Sequence, residues 1–248
     1  MNRPGQTLLG LESQSGFLHA LAAMVVLTVG LGYMEAAVVV YLREISAPIR
    51  QRYFPREASE PLPLLGGQQL AAAGGDKFKI LAIEMTREPA PLAVLAAFAW
   101  VLGRTRRMRV GLFLVGFGLW DILYYVFLKL LIDWPKSLAS WDVLYLIPAP
   151  WVAPVWAALA SAVTMLALGA VAISTGRAGQ KARSPSAWLA IVCGVALVLV
   201  SFFLRTREAF DAVPVRYDWY FFVPGWVLTV GGSLRLLCPA FQPAGRCR

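Results

Sequence analysis

The chain has 248 residues, of which 58% are hydrophobic and 15% charged, with a mean hydropathy of +0.63. Ordinary soluble domains carry about 25% charged residues, so a water-soluble globule, a disordered chain and a disulfide scaffold are excluded. The net charge of +9, from 23 Lys+Arg against 14 Asp+Glu, points to basic loops beside membrane spans rather than to nucleic acid.

A spanning helix needs about 20 mostly apolar residues, and six segments qualify. They are about 17–41, 79–103, 110–131, 151–173, 187–204 and 219–238. The expected fold is therefore all-α, a polytopic transmembrane helical bundle, and 1–248 reads as a single membrane domain. The first span is too long for a cleaved signal peptide and no small-residue cleavage site follows it. A loop at 42–78 comes next. Its middle, PREASEPLPLLGGQQLAAAGG, is rich in Pro, Gly and Ala and reads as a flexible or surface-lying connection.

Orientation follows from basic residues. Arg104, Arg106, Arg107 and Arg109 lie between spans two and three, and Arg177, Lys181 and Arg183 between spans four and five, both without acids. Arg246 and Arg248 lie in the tail. These segments share one side, expected to be the cytoplasm, with both termini there. Arg43, Arg50, Arg52, Arg56 and Lys77 in the first loop run against that assignment. Cys193 falls in an apolar run, and Cys238 and Cys247 at or after the last one, so the three cysteines say little about redox compartment.

The informative residues are ionisable groups inside apolar segments, where they mark pairing or functional sites. Glu35 lies in span one. Glu84, Arg87 and Glu88 lie in span two at i, i+3 and i+4, on one helix face. Asp121 lies in span three, with Tyr124, Tyr125 and Lys129 beyond it. Because successive spans alternate in direction, all these groups fall at a similar depth, in the outer half of the bilayer. One reading is ion pairing between three helices, with Arg87 satisfying Glu84, Glu88 or Glu35 and Lys129 satisfying Asp121. The other is a polar cavity, in which four carboxylates outnumber two cations and a proton or bound cation restores balance. A carboxylate metal centre on Glu35, Glu84, Glu88 and Asp121 is a weaker reading, since the Glu-x-x-His pairs of such bundles are missing. The one histidine, His19, starts span one near the opposite leaflet. Haem, type-1 copper and His-rich zinc therefore lack a ligand set, and no cofactor is expected.

Pro89 and Pro91 directly follow the charged triplet, where proline bends a helix and frees a carbonyl. The segment 132–150 is too polar and proline-rich to span. It reads as an interfacial or re-entrant element over the cluster, with Trp134, Trp141, Asp142 and Trp151 as candidate lid residues. The mixed charges of RTREAFDAVPVRYDWY read as a solvated ion-pair surface rather than a cavity rim.

The stretches GYMEAAVVVYLRE, EMTREPAPLAVL, FGLWDILYYVFLKLLIDWPKSL and WDVLYLIPAPWVAPV together resemble an uncharacterised family of small bacterial polytopic integral membrane proteins, over about residues 30–156. The resemblance implies a bacterial inner-membrane location and transfers no functional residue. Three roles remain. An accessory subunit of a larger membrane complex, with other membrane subunits and the lipid bilayer as partners, ranks first. It predicts that the buried ions pair and leave no sizeable cavity. An ion, proton or small-solute transporter predicts a water-accessible pocket with at least one carboxylate unpaired. An intramembrane enzyme acting on a lipid or small apolar substrate predicts a pocket open sideways to lipid.

Overall fold

A computed structural model describes residues 4–175 and 184–237. The basic stretch of Arg177, Lys181 and Arg183, the tail with Arg246 and Arg248, and Cys238 and Cys247 lie outside the described residues. The architecture is an all-α bundle. Five helices are long and apolar enough to cross a membrane: Leu18–Tyr53, Arg106–Ile132, Val155–Ser174, Pro185–Asp211 and Trp219–Leu237. The chain is a multi-pass membrane protein.

Helix α1 runs from Pro4 to Tyr53, well past both ends of the predicted span. Hydropathy falls after Tyr41, but the helix continues through LREISAPIRQRY, carrying Pro48 in its interior, after its apolar stretch has ended. The predicted second span is not one helix. It is α3 (Lys77–Arg87) and α4 (Pro89–Leu102), joined at Glu88. Pro89 and Pro91 cannot donate to carbonyls four residues back, so the ladder breaks there. Neither half is long enough to span alone. A short helix α2 (Gly67–Ala72) precedes them.

Helix α5 (Arg106–Ile132) begins at Thr105, whose hydroxyl accepts from Met108 N at 3.1 Å, a side-chain N-cap. It ends at Asp133, which adopts a left-handed conformation with φ 52°. Then comes a β-hairpin, β1 (Trp141–Tyr145) and β2 (Trp151–Pro154), in the segment expected to be interfacial or re-entrant. The strands are antiparallel, pairing Asp142 with Ala153 and Val143 with Val152. Prolines at 148 and 150 forbid a helix here, while aromatic and β-branched residues suit paired strands. Helices α6 (Val155–Thr175), α7 (Pro185–Phe203), α8 (Glu208–Asp211) and α9 (Trp219–Leu237) follow.

Two tight helix pairs organise the bundle, α5 with α6 and α7 with α9. Small residues set their separation. A Cβ at Gly194 would lie 2.6 Å from Gly225 O, and one at Gly225 would lie 2.7 Å from Gly194 O. Helix α1 packs on α5, α4 packs on α5, and the two pairs meet through α6 and α9. Met24, Leu95, Ala99, Leu112 and Trp120 form the core between α1, α4 and α5.

The RTREAFDAVPVRYDWY segment keeps Arg207, Asp211 and Arg216 exposed, and within it one ion pair forms an interhelical clamp. Arg205 donates from Nε and Nη2 to both oxygens of Asp218, each at 2.7 Å, and from Nη1 to Glu208 at 3.0 Å. Asp218 is 2% exposed. It ties the end of α7 to the start of α9, and the Arg205 charge holds its carboxyl below the usual range.

The loop expected to be flexible is organised around one side chain. Arg50, 5% exposed, donates to five backbone carbonyls. Nε reaches Ala58 O (3.2 Å), Nη1 reaches Pro61 O (3.3 Å) and Pro63 O (2.7 Å), and Nη2 reaches Glu57 O (2.9 Å) and Leu62 O (3.0 Å). These bonds consume all five guanidinium N–H groups. Arg50→Ala is expected to cost about 3 kcal/mol, because buried carbonyls lose a charged donor. Residues 54–66 should then be cut readily in limited proteolysis of the detergent-solubilised protein. Arg50→Lys should rescue little, since an ammonium cannot reproduce the planar fork.

Candidate functional site

At the hairpin end of the bundle, Arg87 is held between two carboxylates. Its Nη1 and Nη2 donate to Glu35 Oε2 and Oε1, both at 2.7 Å. Its Nε and Nη2 donate to Glu84 Oε2 and Oε1 at 2.9 and 2.6 Å. Each carboxylate is thus gripped bidentately by a different edge of the same guanidinium, the strongest arrangement available to this pair. The i, i+3 spacing on α3 brings Glu84 to Arg87, and the Glu35 side chain reaches the same guanidinium from α1. One cation serves two anions, so the trio carries a net charge of −1.

Glu88 is not part of this trio. Its carboxylate accepts the Leu146 amide on both oxygens, at 3.0 and 2.9 Å. The break at Glu88–Pro89 thereby fastens the hairpin loop to the α3–α4 junction. Asp142, on β1, accepts from Tyr125 Oη at 3.0 Å, with Tyr124 Oη at 3.5 Å. Asp142 is 3% exposed. Burial pushes its carboxyl up to about 6, while the Arg43 charge and the tyrosine hydroxyls pull it down.

Asp121 accepts no hydrogen bond and forms no ion pair among the described residues. The charges that act on it are the carboxylates of Asp142 and Glu35, both negative. It lines a cavity of about 370 Å³ together with Glu35, Glu84, Glu88, Tyr124, Tyr125 and Asp142. The remaining walls are mostly apolar, among them Val39, Leu42, Ile49, Ile80, Leu81 and Leu144. Six carboxylates line the space (Glu35, Glu60, Glu84, Glu88, Asp121, Asp142) against Arg43, Arg50 and Lys77. With Arg87 behind them, the site is net negative by two when all six carboxylates are ionised.

Several predicted residues sit elsewhere or play other parts. Lys129 does not reach Asp121. It pairs with Asp133 at 2.8 Å, donates to Pro135 O at 3.1 Å, and is half exposed. The partner one helical turn along wins over one on the preceding turns because the α5 terminus brings it within reach. Trp134 is no lid. It is 2% exposed, packed with Ala36, Tyr125, Leu128 and Val155, and donates from Nε1 to Glu60 at 2.9 Å. Trp141 packs edge-on against Tyr217, and Trp151 stacks on Phe202 and packs edge-on against Phe203. These two fasten the hairpin to α7 and the α9 approach rather than covering the cluster. Residues Asp142–Leu146 of the hairpin form the cavity wall instead. The four carboxylates Glu35, Glu84, Glu88 and Asp121 do not converge, because Arg87 takes two and an amide a third. Among the described residues no group of three His, Cys, Asp or Glu side chains is placed to hold a metal ion.

Sequence reasoning missed Arg43, Arg50, Glu60 and Trp120. Arg43 stacks on the Trp134 ring at 4.2 Å, and its Nε and Nη2 find no acceptor among the described residues. Trp120 Nε1 is likewise without one. The signal lay in α1 itself. Positions 35, 39, 42, 43, 46, 49 and 50 all line the cavity, a helical face that runs on beyond the apolar stretch.

Comparison with known proteins found no matching family model, no matching curated protein and no matching solved structure.

Removing the shared cation should be severe. Arg87→Ala strands two half-buried carboxylates, and breaking such a pair costs about 3–5 kcal/mol. The expected outcome is a sharp fall in folded yield and in the melting temperature of the purified protein. Arg87→Lys keeps the charge but cannot fork both partners, so it should fall between the alanine variant and the parent.

Proposed function

We propose that the cavity binds the protonated amine, or an equivalent cationic group, of a small ligand inside the membrane, with Asp121 as its counter-ion. The protein is then a small-solute carrier or processing site rather than a passive subunit. Asp121 carries this reading. It is a carboxylate without a partner among the described residues, facing a cavity already short of positive charge. A buried anion of this kind is costly unless paired, and an incoming cation supplies the pairing. Trp120, Tyr124, Tyr125 and Tyr145 line the same space, and aromatic rings there can attract a cation through their quadrupoles.

The accessory role requires buried ions that satisfy one another and no sizeable cavity. The Arg87 trio fits that requirement, but Asp121 and the cavity support ligand binding over it. The volume of about 370 Å³ lies at the small end of ligand pockets. We place the protein in the bacterial cytoplasmic membrane, with the acid-free Arg104–Arg109 turn on the cytoplasmic side. The cavity then lies toward the outer face.

Matched probes test the charge. Decylamine should raise the melting temperature of the detergent-purified protein well above the effect of decanol at equal concentration. In Asp121→Asn the two should act alike, with decylamine binding weakened at least tenfold, about 1.4 kcal/mol. Equal stabilisation of the parent protein by amine and alcohol would contradict the reading.

A further inference from the structure

We infer that the ligand is an amphiphile, an alkyl or acyl chain ending in a cationic head, and that its chain lies in the groove between the α5–α6 and α7–α9 helix pairs. This rests on the reading of the first cavity as the head site and extends it to the substrate class.

The groove has a volume of about 1020 Å³ and adjoins the first cavity, with Asp121, Leu144 and Tyr145 lining both. It exists because each helix pair packs tightly within itself, while the pairs touch one another through α6 and α9. Its walls include Leu114, Met165, Leu168, Val195 and Leu199. Three of its hydroxyls are spent on their own helices. Ser161 donates to Ala157 O at 2.9 Å, Thr164 to Ala160 O at 2.7 Å and Thr229 to Gly225 O at 2.9 Å, each on its own helix. The Trp226 Nε1 group is occupied by Thr164 Oγ1 at 2.7 Å. A space lined this way gives water few partners and suits methylene groups.

The axial reach fits as well. Arg106 and Asp121 both line the groove, and the helix between them rises about 22 Å at ~1.5 Å per residue. That exceeds one leaflet of a hydrocarbon core about 30 Å thick. A single long chain running past Asp121 from the head site toward the arginine end thus lies along a half-open groove lined by both residues. The unpaired carboxylate stands at the junction of a charged chamber and an apolar slot, the position an amphiphile's head occupies.

Photolabelling tests the placement. The full chain is reconstituted in phosphatidylcholine vesicles with hexadecylamine or hexadecanol, each carrying a diazirine on its terminal carbon, and labelled peptides are mapped by mass spectrometry. The amine probe should label the groove around Leu168, Val195 and Leu236, and a tenfold excess of unlabelled hexadecylamine should cut that labelling at least fivefold. In the double variant Leu168→Trp, Val195→Trp the groove labelling should fall at least fivefold, while the melting shift by hexylamine persists. Label confined to the outward faces, at Val101, Leu130 or Leu189, overturns the chain placement. If hexadecanol labels the groove as strongly as the amine and Asp121→Asn changes neither, the chain placement stands and the head reading falls. If Asp121 governs amine binding but the label lies on outward faces, the head reading stands and the chain placement falls.

Discussion

One guanidinium shared by two carboxylates governs this structure. Glu35 and Glu84 each take two hydrogen bonds from Arg87, which joins α1 to the broken helix α3–α4 where the neighbours are apolar. Charges in such surroundings are tolerated only when paired and hydrogen-bonded. Both requirements are met for three side chains, yet the trio retains one negative charge. With Arg87 committed to the two glutamates, Asp121 and Glu88 are left without a cation of their own. The charge deficit of the cavity is therefore a consequence of the clamp that builds it.

The same constraint explains the hairpin. Non-helical backbone beside a bilayer survives only where protein satisfies its polar groups. Here β1 and β2 pair with one another, and the residues around them are tied in from several sides. The Leu146 amide donates to Glu88, Thr206 Oγ1 donates to Pro150 O at 2.6 Å, and the Leu138 and Ser140 carbonyls accept the first amides of α6, each at 2.9 Å. The prolines at 89 and 91 matter for the same reason. By breaking the helix they put Glu88 where an unpaired loop amide needs an acceptor. Loop, hairpin and broken helix thus complete one another's hydrogen bonding around a common space.

The sequence made part of this legible. The meeting of Glu35 with the Glu84–Arg87 turn followed from an i, i+3 spacing and from the alternation of helix directions, neither of which depends on distant packing. The extension of α1 was hidden because hydropathy marks where a helix leaves lipid, not where it ends. Arg43 and Arg50 were consequently read as loop charges. Asp142 reads as part of a lid in the sequence, but strand pairing turns its side chain inward to Tyr125, and a pairing partner eleven residues away, Ala153, leaves no local trace. Lys129 pairs with Asp133 because i, i+4 places them together, whereas Asp121 lies two turns away, about 12 Å along the helix. The Arg205–Asp218 clamp depends on the fold of a connection too irregular for any periodicity to reveal.

The ligand recognition we propose rests on a distinction between carboxylates of identical chemistry. Those gripped by Arg87 are committed, and the one at the junction of cavity and groove is not. A hydrophobic carbodiimide such as dicyclohexylcarbodiimide attacks carboxyls that are free of ion pairs, and peptide mass spectrometry reads which ones it has modified. The arrangement predicts modification at Asp121, with Glu35 and Glu84 spared. Modification of Glu35 or Glu84 as extensive as that of Asp121, or an unmodified Asp121, would contradict it.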